Sequence, residues 1–402
     1  MKQAAEKAFI LEFIKTTFGN GSPRALERHF AGCASAGLNE KINEQGLAPF
    51  FLKHIGKAAP EIKIPGQMLS TWKEYAGRIA LKNTMLERES IPVLDYLNRN
   101  NTGYALLKGF AYADALYGSR WVRPTGDLDI LIDKKDYPRF KKHLLDQGFR
   151  YKITSSEFRG HPEKWVELQE SIRNDMGFYR KSGIFTFYIE AHWDIANLKN
   201  ERSPFYEMFR VETDDWLRGQ STFFLGDARV KRLSPSMHFV HTVHHFAYGH
   251  HYAGVKWLLD ICLFANAFGK ELDWDLIEKT TIRRGCRKLF AVTGRMAAEI
   301  IGENHPAAAK WRKVHPWDFN PADYLYFKSR LFAGRTLAGA YTSFMFMPEG
   351  FADKRKMASY IFFNRGVSKR WELAGRTPNP LIQPLYILAW ALKEKYKSGN
   401  RR

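Results

Sequence analysis

The spacing of apolar residues divides the chain into three kinds of segment. Over residues 69–99, Trp72, Tyr75, Ile79, Leu86 and Leu94 recur at helical spacing and predict one long helix, with Pro92 as the place for a kink. Ahead of it, residues 1–60 carry short apolar runs punctuated by Gly19, Gly21 and Pro23, which predicts short helices joined by loops. Residues 57–65 read as a linker. The period then changes. Residues 104–107 predict a short buried strand, Lys108 and Gly109 a turn into a helix ending near Tyr117, and residues 128–132 a second apolar strand after a loop over 118–126. A helix opens at 133–136, runs to Leu145 and ends at Gln147 and Gly148. Strand, helix, strand, helix in so short a span marks a small α/β unit.

Residues 150–182 are polar and leave helix and strand undecided, with room for one further strand. Residues 185–190 predict a clear strand, and 205–209 and 211–213 are weaker candidates. After Pro235 the pattern is helical over 236–249, 254–267, 273–281, 284–301 and 320–345. Neither an internal repeat nor a low-complexity tract interrupts it. Four regions follow: N-terminal helices over 1–98, an α/β domain over 99–233, a helical domain over 234–320, and a basic, aromatic helical tail over 321–402.

With 45% apolar and 15% aromatic residues, the chain can bury substantial cores, which excludes global disorder. The formal charge of +20 attracts polyanions, whether nucleotides, RNA or an anionic membrane face. Cys33, Cys262 and Cys286 match neither a disulfide framework nor a zinc knuckle and suit a reduced, cytoplasmic setting. The first residues lack the apolar core of a signal peptide, and no run reaches the length of a spanning helix.

Candidate chemistry concentrates in the α/β unit. Asp127 and Asp129 stand two apart at the start of an apolar strand, so both side chains point to one side. Two acids so placed repel unless a cation sits between them, and Mg2+ is the natural cation when phosphates complete its shell. Glu190 ends a second apolar strand. If the two strands are neighbours, three carboxylates meet and can hold two divalent ions, Mg2+ or alternatively Mn2+. Such a site binds a nucleoside triphosphate and aligns an attacking hydroxyl with its α-phosphorus. Asp127, Asp129 and Glu190 are therefore both the metal ligands and the catalytic residues. Gly109, at a strand-to-helix turn, lets phosphate approach backbone amides, and Lys108 adds charge there. Arg123, in the loop with Arg120, offers a forked donor to phosphate oxygens. An exposed strand end and a solvated loop are the plain alternatives.

A second tier surrounds these residues. His192 alternates onto the side of Glu190 and can orient the acceptor, carry a proton or simply hydrogen-bond a carboxylate. His241 and His245 share a helix face, but the glutamate of a zinc-hydrolase helix is missing between them. Their alternatives are a cleft-lining role or a structural hydrogen bond. Lys256 and Asp260 are four apart on the next helix, in reach of an ion pair or of the same cleft.

The order Leu107-Lys108-Gly109, Arg123-Pro124-Thr125-Gly126-Asp127-Leu128-Asp129, Gly148-Phe149 and Ile189-Glu190-Ala191-His192-Trp193 resembles an uncharacterised bacterial nucleotidyltransferase family of the DNA polymerase β-like superfamily. The likeness covers roughly 70–300 and takes in His241, His245, Lys256 and Asp260. It implies an α/β fold: a small mixed-sheet nucleotidyltransferase core with N-terminal helices and a larger C-terminal helical region that closes over the triphosphate. Gly109, Asp127, Asp129 and Glu190 occupy the superfamily's positions. One departure is that Phe110 follows Gly109, where the superfamily has a serine or glycine, which shifts phosphate binding onto Lys108 and backbone amides.

The expected activity is transfer of NMP from an NTP, with ATP as default donor, to a hydroxyl or phosphate with release of pyrophosphate. γ-Phosphoryl transfer and non-catalytic nucleotide or RNA binding are the alternatives. RNA, a protein or peptide, and a small molecule are all open as acceptor. The basic tail offers RNA contact, an anionic membrane surface at the inner face, or a solvated helix face.

Overall fold

The computed structural model describes residues 2–362 apart from 34, 156–157, 196–203, 212–215, 335–336 and 349. The expected tail clusters at Lys369, Arg370 and 393–402 lie outside the described residues. Five helices come first: α1 (Lys2–Thr17), α2 (Pro23–Ala31), α3 (Ser35–Glu44), α4 (Ala48–Ala58) and the long α5 (Gly66–Arg99). In α5, Met68, Trp72, Leu86, Val93, Leu94 and Leu97 are buried on one face, and the helix continues past Pro92.

The α/β part follows. Its elements are β1 (Tyr104–Leu106), a 3₁₀ turn (Gly109–Ala111), α6 (Ala113–Tyr117), β2 (Leu128–Ile132), α7 (Tyr137–Asp146) and β3 (Arg150–Tyr151). They continue with α8 (Pro162–Ile172), β4 (Asp175–Ser182), β5 (Phe185–His192), α9 (Pro204–Phe209), β6 (Ser221–Leu225) and β7 (Ala228–Arg232). The seven strands make one mixed sheet in the order β3-β4-β5-β2-β1-β7-β6. β2 runs parallel to β5, and β1 parallel to β7, while the remaining pairs are antiparallel.

Four local outcomes differ from the sequence reading or complete it. The helix after β1 is a 3₁₀ turn and one short α-turn, because Gly109 has φ +60 and cannot open a regular helix. Residues 204–209 are helical rather than a strand. The undecided stretch 150–182 contains both a helix and an eight-residue strand. The hairpin β6–β7, which the sequence reading does not mark, turns at Gly226-Asp227 between two β-rich runs. β7 extends the sheet beyond β1.

The C-terminal helices are α10 (Pro235–His244), a π-helical turn (His245–Gly249), α11 (Val255–Phe268), α12 (Trp274–Thr280), α13 (Arg284–Ile301), α14 (Pro306–Val314), α15 (Pro321–Ser329), α16 (Leu337–Phe346) and α17 (Phe351–Phe362). One apolar core runs through all three parts. Phe13 stacks on Phe51 at 3.9 Å, Phe50 meets Tyr117 of α6 edge-on, and Tyr112 meets Phe264 of α11. These aromatic joints pack both helical regions against the strand-β1 side of the sheet, where the Lys108–Gly109 turn lies. Among the described residues, no helix is long and apolar enough to cross a membrane.

Candidate active site

Strand pairing assembles the acids. In the parallel β2–β5 pair, Asp129 stands opposite Glu190 and Leu131 opposite His192. Asp127, immediately before β2, lines the same open cleft of about 1010 Å³. His192 follows Glu190 by two positions and so projects to its side. Its Nε2 lies 3.3 Å from Asp129 Oδ1 and 3.9 Å from Glu190 Oε2. Asp129, Glu190 and His192 each offer a ligand atom, all within 4.8 Å of one another.

The electrostatics follow from crowding. Asp129 two residues away, aided by burial, pushes the Asp127 carboxyl up to about 6. Burial also pulls Asp129 upward, but Lys108 and His192 outweigh it and hold that carboxyl below its ordinary value. Lys108 Nζ sits 2.7 Å from Asp129 Oδ1. Burial lowers His192, yet its hydrogen bond to Asp129 and the nearby Asp175 leave its pKa raised. Carboxylate oxygens beside one imidazole suit a divalent cation. The repulsion recorded in Asp127 is what a bound divalent ion would offset.

The wall opposite the acids comes from the turn after β1 and from α10 to α11. A Cβ on Gly109 would lie 2.7 Å from Thr125 Cγ2, so only glycine keeps the turn against the loop that leads to Asp127. Asn83 of α5 sets that loop: its Nδ2 donates to the carbonyls of Arg120 and Arg123 at 2.8 Å each, and its Oδ1 accepts from Thr125 N–H at 3.2 Å. Arg123 lines the cleft, but its Nε and Nη2 donate to Asp260, and Tyr117 OH donates to the same carboxylate at 2.6 Å. Arg120 is directed elsewhere, to Glu87 and Asp114. Asp260 is thus the buried partner of Arg123. Among the described residues Lys256 makes no ion pair with it. Lys256 instead places Nζ 4.2 Å from the Trp257 ring centroid on the cleft wall, where burial and Arg123 push it down to about 8.

The histidines divide into two groups. His245 Nε2 lies 3.5 Å from Lys108 Nζ and 2.9 Å from His250 Nε2. The 2.9 Å contact pairs the two imidazoles, one ring nitrogen donating and the other accepting. The π-helical turn over His245–Gly249, followed by left-handed His251, Tyr252 and Gly254, swings the chain so that His250, Lys256 and Trp257 all face the cleft. His241 points the other way, into a small cavity shared with His192, His244 and His245. Burial holds its imidazole well below the ordinary value, and that of His244 at about 4.

Three participants escaped the sequence reading. Asn83 lies on a helix with no chemical motif. His250 stands beside an expected histidine but is positioned by the π turn. Lys152, just past β3, puts Nζ 3.0 Å from Glu190 Oε1. No spacing connects these residues to the acids, because only strand order and helix packing bring them together.

No curated protein matches the chain. The family model described as "Uncharacterised nucleotidyltransferase" matches residues 38–302, which contain every residue of the cleft. With this match over an α/β core that carries its acids on adjacent strands, the chain belongs to that uncharacterised nucleotidyltransferase family and is a nucleotidyltransferase.

Proposed function

We propose that the chain transfers NMP from an NTP, with ATP as the default donor, to a hydroxyl or phosphate acceptor and releases pyrophosphate. The observation that carries this reading is the register of β2 on β5, which sets Asp129 opposite Glu190 with Asp127 and His192 at the same cleft. Asp127 and Asp129 would share two Mg2+ ions, with Mn2+ as substitute, and Glu190 would complete the acceptor-side position. When bound, these ions supply charge neutralisation on the triphosphate and lower the pKa of the attacking hydroxyl.

The protein's own groups do the rest. Lys108 and the backbone at Gly109 hold the phosphates. Arg123, anchored through Nε and Nη2, presents its positive edge to the cleft. His192, held by Asp129, orients the acceptor or relays its proton. His245 and His250 fix Lys108, and Lys256 adds charge on the far wall. His241 supports this wall from behind, and the Arg123–Asp260 pair ties the nucleotide loop to α11. The helices over 234–320 form the closing side of the cleft. The acceptor is an RNA, a protein or peptide, or a small molecule. The tail over 321–402 is a further contact surface for it or for an anionic membrane face.

The test uses wild type and the Asp127→Asn/Asp129→Asn variant with Mg2+, a cell extract and NTP labelled at the α or γ position. Metal-dependent α-label on one fraction, lost in the variant, is the expected result and names the acceptor class. Transfer of γ-label alone would replace this reading with phosphotransfer.

A further inference from the structure

Glu190 has a partner outside the acid motif. Asp129 stands opposite Glu190 across β2 and β5, and Glu190 opposite Gly177 across β5 and β4. Lys152 donates its backbone N–H to the Gly177 carbonyl at 2.8 Å. Residues opposite one another in a sheet project to the same face. The row therefore reads carboxylate, carboxylate, hydrogen, ammonium.

The hydrogen in that row is what admits the lysine. A Cβ on Gly177 would lie 3.1 Å from Lys152 Cδ and 3.2 Å from Lys152 Cβ. With glycine there, the stem crosses β4 and sets Nζ 3.0 Å from Glu190 Oε1, 5.2 Å from the Tyr188 ring centroid. The two lysines of the site differ in how firmly they are held. In the Lys108–Asp129 pair the side chains are 13% and 3% exposed, whereas in the Lys152–Glu190 pair they are 35% and 26% exposed. Lys108 is locked in place, and Lys152 can swing into solvent.

We propose that Lys152 is an exchangeable counter-ion for the acceptor-side metal position: its ammonium holds Glu190 Oε1 and yields it when a divalent cation binds. The inference rests on the nucleotidyltransferase reading above and adds to it a competitor for one metal position. A cation that must displace this ammonium from Glu190 binds there more weakly than it would without Lys152. Gly177 belongs to the same device, because it keeps the path of the lysine stem open.

The test is Mn2+ binding to the full-length protein, followed by the electron paramagnetic resonance of free Mn2+. The proteins compared are wild type, Lys152→Met, Lys152→Arg, Gly177→Ala, Glu190→Gln and Asp127→Asn/Asp129→Asn. Thermal unfolding confirms that each is folded. Lys152→Met is expected to tighten the weaker of two sites by roughly threefold to tenfold, the scale of one partly exposed charge pair. Lys152→Arg keeps the charge and stays near wild type. Gly177→Ala asks the stem to give by a few tenths of an ångström and shifts the weaker site in the same direction as Lys152→Met, by less. Unchanged or weaker Mn2+ binding in folded Lys152→Met overturns the proposal. Should that variant not fold, an unchanged weaker site in Gly177→Ala does so instead. Mn2+ binding that ignores Glu190→Gln and Asp127→Asn/Asp129→Asn sinks the metal reading itself, and the Lys152 proposal with it.

Discussion

Asn83 of the long N-terminal helix holds the carbonyl of Arg123 at 2.8 Å, so a residue far outside the acid motif shapes the loop that delivers Asp127. The same amide binds the Arg120 carbonyl and the Thr125 N–H. Replacing it removes three hydrogen bonds in a buried place and leaves their backbone partners without substitutes. Asn83→Ala is expected to cost about 2–4 kcal/mol of stability, since each orphaned buried group costs about 1–3 kcal/mol. Urea denaturation measures this, and a loss below about 0.5 kcal/mol would mean that the loop is held by other contacts.

Cation binding should strengthen as pH rises through about 6, where the Asp127 carboxyl ionises. The sign is set by linkage. The folded-state pKa lies above the ordinary 3.8, so the folded chain binds more protons between those values. This group's contribution to stability is therefore present below 3.8 and falls away as pH rises toward 6. Mg2+ relieves the same repulsion. The Mg2+-induced rise in Tm should be larger at pH 7.5 than at pH 5, and differential scanning fluorimetry at the two pH values checks it. An equal rise at both would remove Asp127 from the ligand set.

Arg123 and Asp260 form a buried bidentate pair that ties the loop before Asp127 to α11. Removing one partner strands the other, so Asp260→Leu alone should destabilise by about 3–5 kcal/mol. The double variant Arg123→Met/Asp260→Leu should recover much of that stability, because an apolar pair fills the space without an orphaned charge. It should not recover activity. Chemical denaturation beside a turnover assay separates the two effects.

Lys108 should be intolerant of even a charge-preserving change. Its ammonium reaches Asp129 at 2.7 Å and lies 3.5 Å from His245, a point-charge geometry that a longer, planar guanidinium does not reproduce. Both Lys108→Met and Lys108→Arg are expected to lower kcat/KM for NTP by roughly tenfold to a hundredfold, about 1.4–2.8 kcal/mol of transition-state binding. Full activity in Lys108→Arg would show that charge alone suffices there.

The sequence by itself determined the features whose cause is local. Period-two alternation puts Asp127 and Asp129 on one side of a strand, and apolar runs mark β1, β2 and β5. Helical spacing marks α5 and the C-terminal helices. Glu190 at the end of another apolar strand reads as the third acid, and the family resemblance carries the same three positions.

Tertiary structure decided the features whose partners are distant in the chain. Lys152 reaches Glu190 across 38 residues and Arg123 reaches Asp260 across 137, so neither pairing leaves a trace in local spacing. The forked arginine in the loop before the acids gives no sign in the sequence of the carboxylate that the packed helix brings to it. His245 and His250 are neighbours in sequence, yet it is the π turn that brings their Nε2 atoms to 2.9 Å, with His245 3.5 Å from the Lys108 ammonium. Alternation and helical spacing are properties of one segment's backbone. Strand order, register and helix docking depend on which apolar faces bury one another, and that is settled only when the whole chain packs.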